Sequence, residues 1–408
     1  MKILSIETSC DETAVSIVEA EGGTESPVFK ILGNSLFSQV NTHREYGGVY
    51  PMLAKREHGK NLPPLLMNVL KQAEMYAENP TSPSYGEEKW QEIKYIVSRE
   101  DGLFEGLISA LKNIEKPKID VIGVTSGPGL APALWVGISC AEALGKLWDI
   151  PVVPINHMEG HIASVLICKT EEFSIFNFQF SKKTNTIRFP ALALLISGGH
   201  TELVSMKGWG EYEVMGQTLD DAVGEAFDKV ARMMGLPYPG GPEISRLAEF
   251  ARENNLPNIA RLPRPMIHSG DSNFSFSGLK TAVLYYIRDK FSKDHSKMTI
   301  DEKADLAREF EDAVVDVLLK KTNEALERTG AKTLIVAGGV IANKKIRQAF
   351  TKLADKFSDL ILKIPTNSLA TDNSLMIAAA TYLNVILNPK ILDKQTKIIA
   401  SGNLKLAM

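Results

Sequence analysis

Residues 3–18, ILSIETSCDETAVSIV, and residues 192–204, LALLISGGHTELV, follow one plan: an apolar run, a short polar or glycine-rich turn, and a second apolar run. Each reads as strand, tight turn, strand. Each is followed later by a β-run that ends in a glycine turn and enters a helix, VIGVTSGPG at 121–129 and LIVAGGV at 334–340. The repeat of both units predicts an internal duplication and an α/β fold of two lobes. The first lobe is expected over residues 1–150 and the second over 151–373. Residues 374–408, apolar from Ser374 to Leu387, are expected to supply a helix that packs back on the first lobe.

Size agrees with two lobes, since 408 residues exceed one ordinary core. With 44% hydrophobic and 23% charged residues the composition is that of a globular enzyme. A net charge of −3 gives no global drive toward nucleic acid or membrane, so any RNA contact must use local patches. Short basic runs occur at Lys55-Arg56, Arg261 to Arg264, and Lys344-Lys345 with Arg347. Cys10, Cys140 and Cys168 make neither a Cys-x-x-Cys nor a disulfide framework, which points to a reducing compartment. No apolar run reaches spanning length. Met1 runs almost directly into Ile3 to Ile6, so no leader is read here, and an organelle is not excluded. The stretch from about Met75 to Lys118, with Pro80 and Pro83, reads as an inserted helical segment, and Ser181 to Thr186 as a polar loop.

His157-Met158-Glu159-Gly160-His161 puts two imidazoles on one side of a helix, where they either grip a metal or edge an ordinary helix. Asp372, in Thr371-Asp372-Asn373, is a carboxylate able to complete a ligand set with open positions. Glu159 is misplaced for a His-Glu-x-x-His peptidase, and no P-loop is present. The Ser197-Gly198-Gly199-His200-Thr201 turn is either a plain hairpin or a nest for an anion. In Ser9 to Thr13 the acids Asp11 and Glu12 would repel phosphate unless a cation intervenes. Leu219 to Met234 reads as a helix capped by Thr218, with Asp221, Glu225 and Asp228 as an unbalanced acidic stripe. Pro239-Gly240-Gly241-Pro242 ends that unit, and Ala337 to Val340 with Asn343 reads as the second-lobe counterpart of Ser126 to Gly129.

Taken together, IETSCDET at 6–13, TSGPGL at 125–130, NHMEGH at 156–161, SGGHTEL at 197–203, DDAVGEAFDKVARMMGLPYPGGP at 220–242, FSFSGLKTAV at 274–283, AGGVIAN at 337–343 and TDNSLMIA at 371–378 resemble the TsaD/YgjD (Kae-type, formerly Gcp) family of tRNA threonylcarbamoyltransferases, most nearly its yeast mitochondrial branch. Departures are Ala370 where Cys is frequent, Ser374 where Gly is frequent, and the 75–118 segment. The resemblance implies an actin-like (ASKHA) fold with duplicated ribonuclease-H-like cores. It implies that His157, His161 and Asp372 hold one divalent metal, zinc or iron. It implies that the donor's nucleotide lies along Leu195, Ile196, Ser197, Gly198, Gly199, Asp228, Gly241, Glu243 and Asn343. The implied reaction moves threonylcarbamoyl from threonylcarbamoyl-adenylate to N6 of adenosine-37 in ANN-reading tRNAs, releasing AMP. Asp11 and Glu12 are, by position, candidates for removing the amine proton. The resemblance further implies a homodimer in the mitochondrial matrix, fed by a separate Sua/YrdC-type synthase, with no membrane partner. A metal-dependent glycoprotein endopeptidase, a small-molecule kinase and a non-catalytic chaperone are the rival classes.

Overall fold

β1 (Lys2–Glu7) is buried along nearly its whole length, as expected of a strand covered on both faces. It sits at the centre of a five-stranded sheet in the order β3-β2-β1-β4-β5, with β2 at Glu12–Glu21, β3 at Val28–Ser38, β4 at Val121–Gly127 and β5 at Val152–Asn156. β1, β2 and β3 form an antiparallel meander, while β4 and β5 run parallel to β1. The second sheet repeats this arrangement around β6 (Ala191–Ile196): β7 (Thr201–Gly208) and β8 (Glu211–Gln217) are antiparallel neighbours, and β9 (Thr333–Ala337) and β10 (Ile361–Lys363) are parallel ones. Order and direction match strand for strand, so the duplication read from the sequence is present as two equivalent five-stranded cores. The computed structural model describes residues 1–77, 85–167, 186–393 and 397–406. Pro80, Pro83 and Cys168, and the loop expected at 181–186 up to residue 185, lie outside them.

Helices cover both sheets. The first sheet carries α1 (Val40–Arg44), α2 (Pro51–Gln72), α3 (Glu87–Ile96), α4 (Leu103–Leu111) and α5 (Ala131–Trp148). Within the 75–118 segment, α3 and α4 bury Trp90, Ile93, Leu103 and Leu107 in the first core. α6 (His157–Ala163) follows β5, which places the first sheet's last strand just beyond residue 150. The second sheet carries α7 (Val223–Met233), α8 (Gly240–Glu253), α9 (Ser277–Phe291), α10 (Ile300–Thr329) and α11 (Lys344–Ala354). α10 opens on a capping box of Thr299 and Glu302 and stops at Gly330 in the left-handed region. α12 (Asn367–Ala370) leads into α13 (Ser374–Leu387), which packs on β1 and β2. The C-terminal helix therefore ends at Leu387, and residues 397–406 do not extend it. Instead the tail crosses the β4 turn, where Ser401 N–H donates to Ser126 O at 2.9 Å and Gly129 N–H to Gly402 O at 3.1 Å.

One helix starts later than its sequence pattern predicts. α7 begins at Val223 with Ala222 as N-cap, and Leu219 is 61% exposed. Thr218 does not cap it, because its hydroxyl donates to Asp221 O. The cause is tertiary: Asp220 accepts hydrogen bonds from the hydroxyls of Ser275 and Ser277 and from the N–H groups of Phe276 and Ser277. That pull holds residues 218–221 in a bridge to Phe274.

α13 lies so close to β4 that a Cβ on Gly123 would meet Thr381 Oγ1 at 1.9 Å. Gly123→Ala is therefore expected to lower unfolding stability by about 1–3 kcal/mol through overpacking. Removing the Thr381 hydroxyl with Thr381→Ala in the same chain should recover part of the loss. Thermal or urea unfolding of the two variants checks both outcomes.

Candidate functional site

α6 has only seven residues, yet its direction is fixed at both ends. Asn156 caps it, accepting from Met158 N–H at 2.9 Å, and Gly160 lets α13 press against it. A Cβ at Gly160 would stand 2.9 Å from Ile377 Cδ1. His157 and His161, one turn apart, are 5% and 0% exposed, with ring centroids 4.7 Å apart. Asp372 arrives from the turn before α13, where Asn373 caps the helix by accepting from Met376 N–H at 3.0 Å. Asp372 Oδ1 lies 3.4 Å from His157 Nε2 and 3.2 Å from His161 Nε2. Two ligands at zinc-like bond lengths and a tetrahedral angle stand roughly 3.4 Å apart. Both ring nitrogens of His161 are buried without a hydrogen-bond partner. The side chains present thus fit a divalent cation with three protein ligands and room for more.

Behind His157 stands a residue the sequence analysis passed over. Glu7, fully buried at the end of β1, brings Oε2 to 3.2 Å from His157 Nδ1. Ser9 N–H and the Thr125 hydroxyl donate to the same carboxylate at 2.6 and 2.5 Å. Burial opposes ionisation of Glu7, but the neighbouring His157 ring outweighs it and holds the carboxyl below its usual range. A carboxylate on the far nitrogen fixes the tautomer that leaves Nε2 free to ligate. The sequence signal was a glutamate inside an otherwise buried strand. His200, beside the glycine turn, is pushed down to about 4 by burial and then by the two ligand imidazoles, so it is neutral there.

The expected nucleotide-binding residues fall into two groups. Leu195 and Ile196 end β6 fully buried, so they offer main chain only. Ser197 closes the turn by accepting His200 N–H on its hydroxyl at 3.1 Å, while Gly198 and Gly199 face open space. The N-terminus of α7 abuts this turn, because a Cβ on Gly224 would meet Ser197 O at 2.6 Å. Gly241 is also open. The other three are engaged within the chain. Asp228 accepts from Gly240 N–H at 2.7 Å, Glu243 pairs with Arg246 at 3.0 Å, and Asn343 caps α11 while donating to Glu311 at 2.7 Å.

Two further expectations need correction. The acidic stripe on α7 is balanced: Lys229 pairs with both Asp221 and Glu225 at 2.7 Å, and Lys280 pairs with Asp221 at 2.7 Å. Lys229 stands four residues after Glu225, a spacing already present in the sequence, whereas Lys280 comes from α9 and local spacing did not reveal it. The turns at 126–129 and 337–340 are not equivalent either. The C-terminal tail covers the first, since a Cβ on Gly127 would meet Ser401 O at 2.0 Å. In the second, Gly338 (φ +98°) seats on Ile196 O and Gly339 is open.

Asp11 is 8% exposed. Glu12, next to it, is held well above the usual carboxylate range by burial and then by Asp11 and Asp372. The charge of Asp11 also reaches Asp228 of the second sheet's helix.

Residues 30–82 and 103–379 match the family described as TsaD: tRNA N6-adenosine threonylcarbamoyltransferase. The interval left unmatched between them, 83–102, contains α3, so only the middle of the 75–118 helical segment stands outside the family pattern. Proteins with the name tRNA N6-adenosine threonylcarbamoyltransferase from Paraburkholderia xenovorans and Burkholderia mallei are each 42% identical, over 94% of this chain and 92% of their own length. Among solved structures, full-length HypF in its phosphate- and nucleotide-bound form aligns with 95% of this chain and 46% of its own at 12% identity and a TM-score of 0.48. A ROK hexokinase from Thermus thermophilus aligns with 94% of this chain and 99% of its own at 10% identity and a TM-score of 0.40.

Glu7→Gln removes the charge behind His157 and keeps the shape. It is expected to weaken zinc affinity by about 10–100-fold, read by competition with a chelating dye. Glu159→Gln, on the same helix but bonded to Tyr212 and Asn384 instead, should leave it unchanged.

Proposed function

The chain belongs to the TsaD family of tRNA N6-adenosine threonylcarbamoyltransferases, and we propose that it transfers threonylcarbamoyl from threonylcarbamoyl-adenylate to the N6 amine of adenosine-37 in ANN-reading tRNAs, releasing AMP. The observation that carries this reading is the His157–His161–Asp372 ligand set, together with an open glycine turn that abuts the N-terminus of α7. That combination suits a donor with a carboxylate at one end and a phosphate at the other. A bound divalent cation, zinc or iron, would polarise the donor's carboxylate or carbamoyl oxygens as a Lewis acid.

The donor is a mixed anhydride, so it carries its own leaving group and needs positioning more than a protein nucleophile. Gly198 and Gly199 face open space, and in this reading their main-chain N–H groups hold the phosphoryl oxygens and the charge that grows on departing AMP. The adenine nitrogen forms a bond to the carbamoyl carbon while that carbon's bond to the phosphate oxygen breaks. The amine proton must leave in the same process. By position Asp11 and Glu12 are the acids able to take it; burial and then Asp11 and Asp372 push the Glu12 carboxyl well above the usual carboxylate range, which favours Asp11 as the acceptor. The hydrolytic alternative lacks its base: Glu159 accepts from Tyr212 Oη at 3.0 Å and Asn384 Nδ2 at 2.9 Å and is turned away from the ligands. By the family resemblance, the chain works as a homodimer in the mitochondrial matrix on donor made by a separate Sua/YrdC-type synthase. No described helix is long and apolar enough to cross a membrane.

The test incubates metal-loaded protein with unmodified ANN-class tRNA and fresh threonylcarbamoyl-adenylate, then measures digested nucleosides by mass spectrometry. Wild-type protein is expected to form threonylcarbamoyl-adenosine, and a chelator or His157→Ala to abolish it. Asp11→Asn should slow transfer by about 10²–10⁴-fold. No modified nucleoside from the wild type overturns the function, whereas an undiminished rate in Asp11→Asn overturns only the proton acceptor.

A further inference from the structure

The loop between α1 and α2 carries features that chemistry at His157 does not use. Tyr46 and Tyr50 are 63% and 56% exposed, and their rings stack with centroids 6.0 Å apart and planes 24° apart. The loop around them is well tied. Tyr46 N–H donates to His43 O at 3.0 Å, Gly47 N–H to Arg44 O at 3.1 Å, and Tyr50 N–H to His43 Nδ1 at 3.4 Å. The buried His43 ring bonds Gln39 Oε1 at 3.1 Å, and Gln39 N–H donates to Asp11 O at 2.9 Å. The tyrosine pair is thus joined through three hydrogen bonds to the hairpin that holds the proton acceptor.

Cations surround it. Arg44 Nε donates to Tyr238 O at 3.2 Å, and Arg232, on α7 of the other sheet's layer, donates to Gly47 O. Both guanidinium groups bond main-chain carbonyls rather than carboxylates, so their charge stays available. Arg56, on the first turns of α2, has a side chain 69% exposed. A stacked pair of exposed aromatic rings, with Arg44 and Arg232 bonded to main-chain carbonyls beside it and Arg56, paired loosely with Glu57 at 4.0 Å, on the next helix, is the arrangement that single-stranded RNA takes: bases on the rings and phosphates on the cations.

We propose that Tyr46 and Tyr50, with Arg44, Arg56 and Arg232, dock the single-stranded loop of the tRNA substrate and stack the bases beside the target adenosine. This rests on the transfer reading above and gives it a surface. A chain of net charge −3 exerts no overall pull on RNA, so a local patch has to supply it. A target amine bound at Asp11 leaves its neighbouring bases at this loop.

The experiment measures binding of a fluorescent anticodon stem–loop RNA and, separately, steady-state transfer to whole tRNA. Tyr46→Ala/Tyr50→Ala is expected to weaken stem–loop binding and raise the tRNA KM by about tenfold, with affinity for the adenylate unchanged. Tyr46→Phe/Tyr50→Phe keeps the rings and should stay near wild type. Arg56→Ser should reduce the log–log salt slope of binding by about one. Unchanged RNA binding by the double alanine variant overturns the proposal. If that variant also falls to half the wild-type mass in light scattering, the patch joins two copies of the chain instead. Wild-type protein that binds the stem–loop but transfers nothing sinks the transferase reading and leaves the docking surface standing. Normal transfer with no effect of the tyrosine changes does the reverse.

Discussion

Everything at the metal-ligand site depends on α13 lying against α6 and the first sheet. Gly123 and Gly160 remove the side chains that would hold it off, and the Ser5 hydroxyl donates to Ser374 O at 2.8 Å at the start of the helix. Asp372 precedes that start by two residues, so helix packing and ligand placement are one constraint. The packing also explains why the ligand set draws on three distant stretches of chain. β1 contributes Glu7, the helix after β5 contributes the histidines, and the turn before α13 contributes Asp372. None of these segments could hold the geometry alone, since an isolated seven-residue helix is marginal in water.

The duplication supplies the scaffold, and its breakdown supplies the function. Both sheets have the same order and directions, and both present a turn after the central strand. In the first, the turn is acidic and backed by a buried network in which His58 bonds the Thr13 hydroxyl at 2.8 Å and Cys10 O at 3.1 Å. In the second, the turn is made of glycines left open beside a helix N-terminus. One half therefore brings carboxylates and the other main-chain donors. The later strand–glycine turns diverge in the same way, because only the first is covered by the C-terminal tail.

What was legible in the sequence was local and periodic. The strand–turn–strand units, the i, i+4 histidines and the glycine turn are each written within a few residues, and the fold keeps them. What was missed depended on partners far along the chain. α7 starts at Val223 because Asp220 is drawn to Ser275 and Ser277. Its acidic stripe is quenched partly by Lys280 from α9. Glu7 looked like part of a polar turn and proved to be the support of a ligand, since nothing in IETSCDET says where His157 will be. Asn343 illustrates the converse: a residue in a motif of this kind has both ends of its amide occupied, at Ile346 N–H and at Glu311.

The charges in the site explain why its parts come together. Glu7, Asp11, Glu12 and Asp372 are all buried or largely buried. Unpaired carboxylates in so dry a place would be costly, and a phosphate beside them more so. Three features offset the repulsion. Hydrogen bonds from Ser9 and Thr125 satisfy Glu7, burial and the neighbouring carboxylates push the Glu12 carboxyl upward, and the His157 and His161 imidazoles stand beside Asp372. The glycine turn, abutted by the N-terminus of α7, adds open main chain instead of a further carboxylate. Asp11 joins this acidic hairpin to the tyrosine loop, its main-chain O accepting from Gln39 N–H at 2.9 Å, so the two surfaces cannot shift independently.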